Sequence, residues 1–128
     1  MIKIANIFII DDDADIVLLF EQFLKVEGHQ IVAKAFNGEE AIEIFKNLQE
    51  KPDIVLMDHR MPSKNGLETT KEMLKINPHS KIIFVSADYT VRNKALEVGA
   101  IDFLEKPIDL STLYTMIEKY TSTISNII

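Results

Sequence analysis

The sequence predicts an α/β domain built on a doubly wound, five-stranded parallel sheet, and three observations predict it. Short, almost wholly apolar runs alternate with segments whose apolar residues recur at helical spacing. Five such pairs follow one another. Turn-forming residues or carboxylates close most of the runs.

Asn6–Ile10 is the first run, rich in β-branched residues as in a strand buried on both faces. Ile16, Leu19, Phe20, Phe23 and Leu24 then mark the buried stripe of a helix that Gly28 ends. Leu18 lies opposite that stripe and is expected to face water. Gln30–Ala35 reads as the second strand, and Ala41, Ile42, Phe45 and Leu48 mark a second helix after the Asn37-Gly38 turn. Asp53–Met57 is the third strand. A loop with Pro62 and Asn65-Gly66 leads from it into a helix through Leu67, Thr70 and Leu74, closed by Asn77-Pro78. Lys81–Val85 is the fourth strand, followed by a helix around Val91, Ala95 and Val98 that stops at Gly99. Asp102–Glu105 is the short fifth strand. Pro107 breaks it, Asp109 is placed to cap the last helix, and Leu110, Leu113, Tyr114 and Ile117 form that helix's stripe.

With 128 residues, 47% of them apolar and 27% charged, the chain suits one globular domain and is too short for two of ordinary size. The eight residues after Tyr120 are too few for an output domain. No apolar run nears the ~20 residues needed to span a bilayer, and nothing at the start reads as a signal peptide. A cytoplasmic protein with no membrane contact is the expectation. A net charge of −6 argues against direct nucleic-acid binding, and the lack of cysteine removes thiolate and disulfide chemistry.

Open α/β sheets bind ligands beyond the carboxyl ends of their strands. Those ends carry Asp11, Asp12 and Asp13 after the first strand and Asp58 after the third. Ser86 follows the fourth, and Lys106 follows the fifth. Like-charged carboxylates ~4 Å apart repel by about 4 kcal/mol at an effective dielectric of ~20. Such a cluster keeps protons or binds a cation, and an all-oxygen set with room for water suits Mg²⁺, with Mn²⁺ as a substitute. A carboxylate can also attack phosphorus to give an aspartyl phosphate. Asp13, immediately before the helix, reads as an N-cap instead.

Four stretches carry a family resemblance: Phe8–Asp15, Asp53–Pro62 with Asn65–Glu68, Ile83–Ala87, and Gly99–Pro107. In these motifs and their order, the chain resembles the receiver domain of two-component response regulators, from about residue 4 to 122. The resemblance implies a flavodoxin-like (βα)5 fold with strand order 2-1-3-4-5. It implies that Asp58 accepts a phosphoryl group from a histidine kinase or phosphotransfer protein. Mg²⁺ would be held by Asp11, Asp12, Asp58 and the backbone carbonyl of Arg60. Lys106 and Ser86 would bind the phosphoryl oxygens, Phe103 would be the switch aromatic, and the Lys106–Pro107 bond would be cis.

Arg60 and Asp88 fall two residues after the acceptor and the switch hydroxyl, where side chains of the family tune phosphate lifetime. They are expected to face each other across the pocket mouth. The family usually has an aliphatic residue where His59 stands, and strand alternation turns His59 away from the acids. Leu18 is a candidate contact for the kinase. Output is expected through a partner, or through a homodimer formed on the helix 4–strand 5–helix 5 face. The protein would catalyse its own phosphorylation without being a turnover enzyme. Three other readings are weaker. A haloacid dehalogenase-type phosphatase would want an aspartate where Arg60 stands. A flavodoxin relative would not place an acidic triplet where phosphate binds. An adaptor that is never phosphorylated would not need the acceptor, acid pair and lysine together.

Overall fold

In the computed structural model, which describes residues 3–121, strands β1 (Asn6–Ile10), β2 (Gln30–Ala35), β3 (Ile54–Met57), β4 (Lys81–Ser86) and β5 (Asp102–Glu105) pair in parallel. Their order is β2-β1-β3-β4-β5, as the resemblance implies. Helices α1 (Ala14–Val26), α2 (Gly38–Asn47), α3 (Gly66–Ile76), α4 (Arg92–Val98) and α5 (Leu110–Tyr120) connect and follow the strands. A 3-10 helix, Tyr89–Val91, leads into α4. The tail beyond Thr121, read as too short for an output domain, lies outside the described residues.

The central strands are buried on both faces, which is why their sequences are unbroken apolar runs rather than alternating ones. Phe8, Ile10, Val55, Met57, Ile82 and Phe84 pack on one side, against residues of α2, α3 and α4. Ile7, Ile9, Ile54, Leu56, Ile83 and Val85 pack on the other, against α1 and α5. Each such side chain, fully buried, contributes about 1.5–3 kcal/mol.

Three details differ from the sequence reading. The inward face of α1 is Val17, Phe20 and Leu24, while Leu19 is 44% exposed beside Leu18 at 51%. At ~100° per residue Leu19 stands roughly 200° round from Val17, so both cannot face the sheet. On α5 the buried pair is Leu113 and Ile117, and Tyr114 is exposed. Asp109 holds the N-cap position of α5, but its carboxylate accepts from the hydroxyls of Ser111 and Thr112 and from no backbone N–H. Two hydroxyl donors within one turn take the capping role away. Asp13 does cap α1, accepting from the N–H groups of Asp15 and Ile16.

Strand order is what builds the site. It sets β1 beside β3, and the Asp58 N–H donates to the Ile10 carbonyl at 2.9 Å. The acids that follow these two strands are therefore neighbours. The loop after β3 returns through a capping box between Asn65 and Glu68, which starts α3. It lays Gly66 against the backbone of Asp58: a Cβ there would meet the Asp58 carbonyl oxygen at 2.3 Å and the His59 Cα at 2.8 Å. Backbone cannot yield as a side-chain tip can. Gly66→Ala is expected to destabilise the fold by about 2–3 kcal/mol, read as a lower urea midpoint at unchanged slope.

Candidate functional site

Asp11 is buried and fixed on three sides. Its N–H donates to the Ala35 carbonyl at 3.1 Å, Oδ1 accepts from the Asp13 N–H at 2.9 Å, and Oδ2 accepts from Lys106 Nζ at 2.8 Å. Asp58 is also buried and accepts from the same ammonium at 3.3 Å. Asp12 is exposed at the rim. One carboxylate oxygen from each of Asp11, Asp12 and Asp58 lies within 4.8 Å of the other two. The structure thus brings together the acid pair, the acceptor candidate and the lysine. Asp13 is left to its cap.

Ser86, the last residue of β4, is buried, and its hydroxyl oxygen accepts from the Asp88 N–H at 3.0 Å. Its carbonyl accepts from the Lys106 N–H at 2.9 Å, so the main chain at Ser86 is bonded to the main chain at Lys106. The Lys106–Pro107 bond is cis. Phe103 is buried on β5. Arg60 and Asp88, 28 residues apart, meet across the mouth of the site with Nη2 to Oδ2 at 3.2 Å. Asp88 also accepts from the backbone and hydroxyl of Thr90. Leu18 is exposed on α1 and is not among that helix's buried residues. Its neighbour Leu19 lines an apolar cleft with Ile16, Phe20, Ala87, Lys106, Pro107 and Ile108.

Electrostatics follows from the crowding. Burial, and then the neighbouring Asp11 charge, push Asp58 from 3.8 to about 7, although Lys106 pulls the other way. Burial pulls Lys106 down, but its bond to Asp11 and the Asp58 charge outweigh this and hold its pKa above the usual value. The Thr90 hydroxyl, with Arg60, holds Asp88 below the ordinary carboxylate range. Burial lowers His59, whose ring lies beside that of Phe84. One ammonium against three carboxylates leaves a net negative pocket of hard oxygen donors. That donor set fits a divalent cation such as Mg²⁺.

Residues 7–118 match the response regulator receiver domain. The chain belongs to that family. This receiver is 37% identical over 116 residues to the chemotaxis protein CheY of Thermotoga maritima, covering 89% of this chain and 95% of that protein. It is 32% identical over 123 residues to the probable C4-dicarboxylate response regulator DctR of Priestia megaterium. That match covers 94% of this chain but only 53% of that one. Among solved structures, the CheX–CheY–BeF3–Mg²⁺ complex of Borrelia burgdorferi superposes with a TM-score of 0.84 at 28% identity, covering 89% of this chain and 87% of that one. Receivers act in two-component signalling, and this one carries the family's acidic cluster. Among the described residues, no helix is long and apolar enough to cross a membrane.

Gly66 escaped the sequence reading as a part of the receiver's site. Asn65-Gly66 is visible as a turn, but only the fold shows the turn pressing on Asp58.

The raised Asp58 pKa has a signed consequence. Between 3.8 and about 7 the folded chain holds a proton that the unfolded chain has lost. Asp58 therefore favours the folded state at low pH and loses that contribution as pH rises through about 7. With divalent cations chelated, Asp58→Asn is expected to be more stable than wild type at pH 8, by about 1–2 kcal/mol after allowance for solvent screening. The gain should shrink toward pH 4 in urea titrations.

Proposed function

We propose that this receiver takes a phosphoryl group on Asp58 from the phosphohistidine of a histidine kinase or phosphotransfer protein, in a Mg²⁺-dependent reaction. It then signals through a protein partner or a second copy. The observation that carries this reading is the convergence of Asp11, Asp12 and Lys106 on one buried aspartate. The Borrelia complex contains BeF3 and Mg²⁺, which supports the same chemistry here.

An Asp58 oxygen bonds to phosphorus as the donor's P–N bond breaks, and the electron pair leaves on the imidazole nitrogen. Asp11, Asp12, Asp58 and the Arg60 carbonyl would hold Mg²⁺, which would supply positive charge against the acids and the phosphoryl oxygens. Lys106 moves its contact from the Asp58 carboxylate to a phosphoryl oxygen. Ser86 supplies a hydroxyl proton, since its oxygen is the acceptor of the Asp88 N–H bond and its hydrogen is free to donate. The new charge of about −1.5 to −2 draws Ser86 inward, and Phe103 follows, altering the α4–β5–α5 face. Arg60 and Asp88 screen the acyl phosphate from water. Leu18, beside the apolar cleft at Leu19, meets the donor protein.

Acetyl phosphate with Mg²⁺ is expected to add one phosphoryl mass to the chain. Asp58→Ala or chelation should abolish it, and modification surviving either would overturn the reading. Leu18→Asp should impair transfer from the cognate kinase but not from acetyl phosphate; equal loss with both donors would indicate misfolding. Arg60→Ala and Asp88→Ala should each shorten the phosphoprotein's lifetime, and unchanged lifetimes in both would remove the screening role.

A further inference from the structure

His59 follows Asp58 directly, yet its ring has no place among the acids. Its Nδ1 is buried with no hydrogen-bond partner, a penalty that an aliphatic side chain of similar size would not carry. The ring does have a defined neighbour. Its centroid lies 6.2 Å from that of Phe84, with the planes tilted by 34°. Phe84 in turn stacks on Phe103 at 6.5 Å and 19°, and Tyr89 meets Phe103 edge-on at 6.2 Å and 88°. All three spacings fall within the ~4.5–7 Å of attractive ring contacts. Four rings therefore form a row. It starts one bond beyond the acceptor, crosses the interior at β4 and β5, and ends on a tyrosine that is 58% exposed.

From this row we infer that His59 is a positioning residue, coupling the Asp58 end of β3 to the exposed surface around Tyr89 by ring contact. This route runs beside the Ser86 hydroxyl and does not pass through it. The His59 carbonyl accepts from the Gly66 N–H at 2.8 Å, so the backbone beneath the ring is fixed to the acceptor loop. Phe84 is fully buried two residues before Ser86 on β4, and alternation puts the two on the same face. A displacement of the Asp58 end of β3 reaches the His59 ring first and passes from it to Phe84, whose ring lies between those of His59 and Phe103. In a close-packed interior, a ring that shifts must be matched by its neighbour. A flat imidazole lets Phe84 slide across it, where a branched aliphatic side chain would wedge it. The inference rests on the phosphoacceptor reading for the origin of the displacement, and on the ring geometry alone for its route.

The test uses the whole chain and the ring resonances of its three tyrosines, Tyr89, Tyr114 and Tyr120. Tyr114 and Tyr120 lie on α5, off the row, and serve as internal controls. Without ligand, His59→Leu is expected to move the Tyr89 ring signals while those of Tyr114 and Tyr120 stay in place. With Mg²⁺ and beryllofluoride, His59→Leu should bind the mimic as wild type does but lose about half of the Tyr89 response. His59→Phe, which restores a flat ring, should recover it. Unmoved Tyr89 signals in ligand-free His59→Leu, or a full wild-type response with the mimic, would each overturn the coupling. If wild type gives no Mg²⁺-dependent response to beryllofluoride, the phosphoacceptor reading fails instead, and the ligand-free comparison decides the row by itself.

Discussion

Everything at the functional edge follows from forcing carboxylates together. Asp11 and Asp58 are buried side by side because β1 and β3 are neighbours, and Asp12 adds a third charge at the rim. Only Lys106 reaches into this group from the described residues. A single ammonium cannot balance three carboxylates. The site is left either partly protonated, as the raised Asp58 shows, or in need of a cation. The fold tolerates this strain because both faces of the sheet behind it are densely apolar. Stability is concentrated in the core, and the edge is held in a state that a ligand can improve.

The elements around the edge divide the work. Strands fix where the chain enters the site, and loops decide what it presents. Asp13 is spent on starting α1, which leaves Asp11 and Asp12 facing the pocket. Asp88 serves three contacts at once, to Arg60 and to the backbone and hydroxyl of Thr90. It joins the loop after β3 to the loop after β4. Leu19 of α1 borders the same edge through the cleft it lines with Ala87 and Lys106.

Much of this was legible in the sequence because buried parallel strands announce themselves. Runs such as Ile54–Met57 have no polar alternation to confuse their assignment. The acids, Ser86 and Lys106 could be grouped without coordinates, since each directly follows a strand and strand ends share an edge. Even the facing of Arg60 and Asp88 follows from adjacent strands, here β3 and β4. What could not be read was anything set by rotation or by close approach. Leu19 and Val17 are both apolar, and only the docking of α1 decides which turns inward. Asp109 is a fitting cap until two hydroxyls compete for it. Gly66 reads as a turn, and its pressure on Asp58 depends on where the loop returns. The ring row joins residues from the loop after β3, from two strands and from a 3-10 helix, with no spacing in sequence to betray it.

The hydrogen bond from the Lys106 N–H to the Ser86 carbonyl has a mechanical meaning. Ser86 and Lys106, which close the two strands beyond β3, hang from one main-chain joint. Neither can be drawn toward the acids without carrying the other's backbone with it. A pocket with several independent parts would respond to a visitor by degrees, one contact at a time. With its lysine and its hydroxyl on a common joint, this side of the pocket is a linked pair rather than two separate parts.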